Sequence, residues 1–165
     1  DVMWDEEAGL FLDYDYVSRV RTPTPSLATF FPLWAGLASN AQAARIVKTW
    51  LPRFLQPGGL VTSLDTQAGR QWAWPNGWAP LQWIAAEGLD RYGYQAEARE
   101  VRQRWCNTCA AMFERTGVIW EKYDVVDPGN PGEAGLYGHV TGFGWTNGVL
   151  VDFARKLAPE GKAES

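Results

Sequence analysis

The chain has 165 residues, 46% of them apolar and 21% charged, and carries a formal net charge of −4. That is one domain's worth of polypeptide with enough apolar content for a sizeable core. The acidic balance without a basic run excludes nucleic acid and acidic membrane surfaces as expected partners, and every apolar run is broken well short of a bilayer span.

Asp1 stands where an initiator methionine would, which reads as a processed product or a piece of something longer; no signal peptide is visible, and no compartment is assigned. Residues 3–16 open as a loop and then alternate apolar with acidic side chains, predicting a short extended segment at 10–16. Thr22-Pro23-Thr24-Pro25-Ser26 is a breaker, with Ser26 or Thr24 as a cap. Residues 27–38 are apolar nearly all round (Leu27, Phe30, Phe31, Leu33, Trp34, Leu37), which predicts a helix buried on every side. Pro32 fits there only in the first turn or at a kink. From Asn40, expected as the cap, Ala44, Val47, Leu51, Phe54 and Leu55 recur at helical spacing, with Arg45, Lys48 and Arg53 on other faces. This predicts an amphipathic outer helix, ended by Gln56-Pro57-Gly58-Gly59.

The pattern then repeats. A long loop over 60–77 runs into Gln71–Trp83, thirteen residues that hold four tryptophans, two prolines and one glycine. Pro75-Asn76-Gly77 is turn chemistry, and Pro80 suits the first turn of the helix that follows. Aromatic faces beside amide groups suit a sugar, whose ring has apolar C–H faces and an equator of hydroxyls. Composition alone favours a buried tryptophan plug. Residues 79–92 form a second apolar helix. Residues 95–116 form a second outer one, with Ala98, Val101, Trp105, Cys109, Met112 and Phe113 on one stripe. Cys106 and Cys109 fall within it as small apolar residues; the only histidine, His139, sits apart, so no structural zinc site is expected. Residues 117–144 are an irregular, glycine-rich connection too long to be passive. Residues 145–157 form a third apolar helix, followed by a flexible tail at 159–165.

Buried helix, amphipathic helix, long loop, three times over with the last outer helix missing, predicts an all-α domain spanning 1–158. About five helices in pairs build part of an α/α toroid, apolar helices inside and amphipathic ones outside, with the long loops gathered at one mouth. Such an incomplete ring leaves open apolar flanks, so self-association into a homo-oligomer, or a missing part that completes the toroid, is expected.

Four ordered stretches carry a resemblance. Gln71-Trp72-x-x-Pro75-x-Gly77-Trp78-Ala79-Pro80 is close to a signature of the trehalases, glycoside hydrolase family 37. Leu55-Gln56-Pro57-Gly58-Gly59-Leu60, Glu121-Lys122-Tyr123-Asp124-Val125 and Gly142-Phe143-Gly144-Trp145-Thr146-Asn147-Gly148-Val149 agree in order and spacing. The resemblance spans nearly the whole chain and covers the C-terminal part of such an enzyme. It implies an (α/α)6 toroid that hydrolyses α,α-trehalose with inversion and without metal or organic cofactor. Inversion needs two carboxyl groups about 6.5–9.5 Å apart, one to protonate the leaving oxygen and one to deprotonate a water. The resemblance makes Glu121 the general base, with Trp120 and Tyr123 as neighbours. It puts Gln71, Trp72, Asn76, Trp78, Tyr123, Tyr137 and Trp145 on the sugar.

The departures are Ala73, where the family has aspartate, and Leu136, where the glutamate before Tyr137 would fall unless Glu133 stands in. Lost polar partners for sugar hydroxyls redirect specificity, so another glucoside is the alternative to trehalose. The family's general acid lies upstream of all matched stretches, and Asp13, Asp15, Asp65 and Asp124 read as surface or capping carboxylates. The chain alone is therefore expected to be weak or inactive as a hydrolase. A non-catalytic sugar-binding or self-associating half-toroid is the reading from a different class.

Overall fold

The structure, a computed structural model, describes residues 2–67, 70–130, 132 and 138–159. Two small hairpins come first. β1 (Trp4–Asp5) pairs antiparallel with β2 (Leu10–Phe11), and β3 (Tyr14–Asp15) with β4 (Val20–Arg21). The single extended segment expected at 10–16 is thus divided between two hairpins. Asp15 closes the β3–β4 turn, accepting from the backbone N–H groups of Val17 and Ser18 and from the Ser18 hydroxyl.

Ser26 caps a 3-10 turn, Leu27–Phe30, which runs into α1 (Phe31–Trp34) with Pro32 in its first turn. The expectation of a helix buried on every side is corrected here. Leu27, Phe30 and Leu33 are buried, but Phe31 and Trp34 are each 40% exposed and Leu37 is 79% exposed. Nothing among the described residues covers that flank. α2 (Asn40–Thr49) is capped by Ser39, not Asn40; the Ser39 hydroxyl accepts from the Gln42 N–H and the Gln42 side chain accepts from the Ser39 N–H. Pro52 has no N–H to continue the ladder, so the predicted outer helix breaks at Trp50 and resumes as α3 (Leu51–Phe54). The Gln56-Pro57-Gly58-Gly59 stop is a tight hairpin, β5 (Leu55–Gln56) against β6 (Gly59–Leu60).

α4 (Ala79–Arg91) carries Pro80 in its first turn, α5 (Gln95–Thr116) ends on Gly117 in the left-handed conformation at φ 73°, and α6 (Gly144–Leu157) closes the described chain. α4 packs between α1 and α6, and α5 covers α4 and α6 from outside. The three apolar helices therefore form an inner row with the long amphipathic helix behind it. Gly88 lets α1 and α4 approach closely, because a Cβ there would stand 2.9 Å from the Trp34 backbone nitrogen. Phe30, Leu33, Phe54, Leu60, Leu89, Trp105, Tyr123 and Phe153 are among the buried side chains that join the layers.

A charged cluster ties α4, α5 and α6 together. Arg102 on α5, with only 7% of its side chain exposed, donates to Glu87 at 2.9 Å and to Asp90 on α4. Burial alone would push the Arg102 pKa down, but those two carboxylates more than reverse it. Lys156 on α6 pairs with Glu87 and, at 3.0 Å, with Asp152, which in turn accepts from the Trp83 indole at 2.8 Å.

Candidate active site

Two strands build the site, and neither was predicted. β7 (Asn76–Trp78) pairs antiparallel with β8 (Lys122–Asp124), setting Asn76 opposite Asp124, Gly77 opposite Tyr123 and Trp78 opposite Lys122. The expected turn at Pro75-Asn76-Gly77 lies earlier, around 71–75, and Gly77 is extended within the strand. Gly77 is needed for closeness rather than for positive φ: a Cβ there would fall 2.5 Å from Val125 Cγ1 and 3.0 Å from the Leu60 carbonyl oxygen.

The Gln71 carbonyl accepts from the Asn76 side-chain amide at 3.1 Å and from the Trp78 indole at 2.8 Å. Those bonds fold the loop back so that Trp72 lies flat on Trp78, with ring centroids 3.9 Å apart and planes 4° from parallel. Trp145, in the first turn of α6, meets Trp78 edge-on at 5.9 Å and is flanked by Phe143 at 5.1 Å. On its other side Trp145 joins Trp34, Pro80, Trp83, Ile84 and Val149 around an apolar cleft of about 340 Å³ along the inner helix row.

Glu121 immediately precedes β8. Its N–H donates to the Val140 carbonyl at 2.9 Å, and its carbonyl accepts from the Thr146 hydroxyl at 3.1 Å. Its carboxylate Oε2 takes a hydrogen bond from Lys122 Nζ at 3.1 Å, and Lys122 Nζ also lies 5.4 Å from the Trp78 ring centroid. The Glu121 side chain is 12% exposed and that of Lys122 is 2% exposed. The Glu121 side chain is thus part-open, while its cationic partner, beside the Trp78 ring, is enclosed.

The predicted residues divide by exposure. Gln71, Trp72, Trp145 and Glu121 keep access to solvent. Trp78, Asn76 and Tyr123 do not, at 1%, 0% and 0% exposure. Trp78 backs Trp72, Asn76 pins the loop, and Tyr123 faces the core, where its hydroxyl accepts from the Trp120 N–H at 3.0 Å and its ring meets Trp105 at 5.3 Å. Of these seven, only Gln71, Trp72, Trp145 and Glu121 are open to contact from outside, because Trp78, Asn76 and Tyr123 are covered by neighbouring side chains and backbone. Tyr137, Leu136 and Glu133 lie outside the described residues. Ala73 is 2% exposed, so the position itself is enclosed.

Three of the four spare carboxylates have local partners. Asp65 pairs with Arg70 at 3.0 Å and receives the Gln67 N–H, and Asp124 receives the N–H groups of Val126 and Asp127. Asp15 closes its own turn, and Asp13 is exposed. Among the described residues no group of three or more His, Cys, Asp or Glu is placed to hold a metal ion. Cys106 and Cys109 are free thiols on α5; burial pushes Cys106 up to about 11 and Cys109 higher still. Lys122 and Thr146 are the site residues that sequence reasoning missed. A lysine beside a glutamate reads as a solvated charge pair, and nothing local marks a threonine as a clamp.

The trehalase family model matches residues 1–158. Periplasmic trehalases from Salmonella paratyphi B and Citrobacter koseri are 39% and 38% identical over 160 residues, 97% of this chain. The chain spans only 28% of the length of those relatives. Among solved structures, the neutral trehalase Nth1 from Saccharomyces cerevisiae superposes with a TM-score of 0.80 at 36% identity, over 96% of this chain and 28% of that one. A GH63 mannosylglycerate hydrolase from Thermus thermophilus follows with a TM-score of 0.70 at 26% identity, over 93% of this chain and 35% of that one.

Proposed function

The chain belongs to the trehalase family, and from that premise we propose that it carries the base half of an inverting glycoside hydrolase acting on α,α-trehalose or a related glucoside. The family match also makes the arc of paired helices part of an (α/α)6 toroid. In this reading Trp72 and Trp145 are the shelf for a sugar ring, Gln71 supplies an amide to its hydroxyls, and Glu121 is the general base.

The chemistry follows from where the carboxylate stands. Oε2 is taken by Lys122, which leaves Oε1 to accept a proton from a water. As that proton moves to Oε1, the water oxygen bonds to the anomeric carbon, the glycosidic C–O bond breaks, and the leaving oxygen takes a proton from a second carboxylic acid. Asp15, Asp65 and Asp124 are committed to turns or ion pairs and Asp13 lies exposed between the two N-terminal hairpins, so in this reading the second carboxyl comes from outside these residues. The observation that carries the proposal is the Glu121 carboxylate, part-open and ion-paired, beside a strand ladder that ends on a stacked tryptophan pair.

The test is trehalose hydrolysis by the longest expressed form of the protein, with proton NMR of the first products; inversion yields one α- and one β-glucose. Glu121→Gln lowers turnover by about 10²-fold or more, whereas unchanged turnover would remove Glu121 from the role. Mannosylglycerate assayed alongside separates trehalose from another glycoside as substrate. The 165-residue chain by itself turns trehalose over weakly or not at all, for want of the acid; brisk turnover by it would overturn the assignment of the acid to another segment. Sugar binding by every form, with turnover by none, would favour a non-catalytic sugar-binding protein.

A further inference from the structure

We propose that Lys122 is a positioning residue for Glu121, holding one carboxylate oxygen so that the other is presented to the water; this rests on the reading of Glu121 as the base. Neighbouring residues in an extended strand point to opposite sides. Here the chain bends at Glu121 just before β8, and that bend brings both side chains to one side, with Nζ 3.1 Å from Oε2. The backbone on either side of the carboxylate is already clamped, N–H to Val140 and carbonyl to the Thr146 hydroxyl. Only the side-chain torsions remain free. Among the described residues, Lys122 supplies the one side-chain bond that stops them.

Lys122 is itself held firmly. It stands across the ladder from the buried Trp78, its ammonium lies 5.4 Å from that indole, and its side chain is 2% exposed. A lysine ammonium enclosed this far needs a counter-charge, and the adjacent carboxylate provides it. An enclosed donor braced by an aromatic wall has few alternative positions, unlike a surface lysine on its flexible stem. The same indole wall that supports Trp72 therefore fixes the direction of the carboxylate, so the sugar shelf and the base are registered through one residue. Misplacing a reacting group by about 1 Å costs on the order of 10²-fold in rate, which sets the size of the effect.

The test compares Lys122→Met, Lys122→Ala and Lys122→Arg with Glu121→Gln in the longest expressed form. Lys122→Met is expected to lower kcat about 10²-fold with KM nearly unchanged. Lys122→Arg, which keeps a donor, recovers most of that loss, and added methylammonium partly restores Lys122→Ala. A kcat for Lys122→Met equal to that of the parent overturns the proposal, as does loss in all three variants that tracks thermal stability and ignores the amine. If Glu121→Gln itself keeps full turnover, it is the reading of Glu121 as base that fails. A second measurement does not depend on the variants of Lys122 folding: the 15N-detected ammonium signal of Lys122, slowed in exchange by its bond to Glu121, should vanish or shift in Glu121→Gln. A signal indifferent to that change also overturns the proposal.

Discussion

Trp78 is the buried member of a parallel indole pair whose open member is Trp72, with 3.9 Å between ring centroids and 1% against 45% exposure. The two side chains therefore do different work although both belong to the same short motif. Trp72→Ala is expected to abolish most sugar binding, read by fluorescence titration, with little loss of stability. Trp78→Ala is expected to cost about 3–5 kcal/mol in chemical denaturation, as for other fully enclosed aromatic side chains. Equal stability losses for the two would show that Trp72 is not an open shelf.

Gly77→Ala tests the close approach of β7 to the segment after β8. The added methyl meets Val125 Cγ1 at 2.5 Å, and overpacking of this kind costs about 1–3 kcal/mol. Adding Val125→Ala should recover part of the loss in a denaturant midpoint. An undisturbed midpoint for Gly77→Ala would mean the ladder is looser than described.

Alkaline pH should weaken the fold. Burial, the leading cause for each, raises the pKa of Cys106 to about 11 and raises those of Cys109 and Tyr123 further. For these acids the raised folded pKa means that the folded state holds its protons more tightly than the unfolded chain does. Their contribution to stability is whole below the unfolded value and fades as pH climbs toward the folded one. With unfolded values of about 8.5 for cysteine and 10 for tyrosine, the decline begins near pH 8.5. The Cys106→Ala, Cys109→Ala double variant should hold its denaturation midpoint flatter over that range. A parent protein with no alkaline decline relative to the variant would refute this.

Phe31, Trp34, Leu37, Trp145 and Val151 are all 40% or more exposed. An apolar surface of this kind along the inner helix row favours association. Sedimentation of the 165-residue chain should show concentration-dependent self-association, and Trp34→Glu with Leu37→Glu should shift it toward monomer. A strict monomer that melts cooperatively would exclude ring closure between copies as a source of stability.

Much of the helical frame is legible in the residues alone, because helix periodicity, Pro80 and the glycine- and proline-rich breaks are local signals. The predicted 79–92, 95–116 and 145–157 became Ala79–Arg91, Gln95–Thr116 and Gly144–Leu157. Family membership was legible too, through motifs that keep their order. The errors were of competing local signals: Ser39 displaced Asn40 as a cap through Gln42, and Gly77 looked like a turn residue because glycine serves both turns and close approaches.

Sequence by itself determined the long helices α4, α5 and α6 and which glutamate lies in the matched motif. Only the tertiary structure decided that β7 meets β8, that Trp72 rather than Trp78 faces outward, and that Lys122 turns inward onto Glu121. Those outcomes depend on contacts between residues distant in the chain. A side chain's burial is set by what packs over it, which no local periodicity encodes.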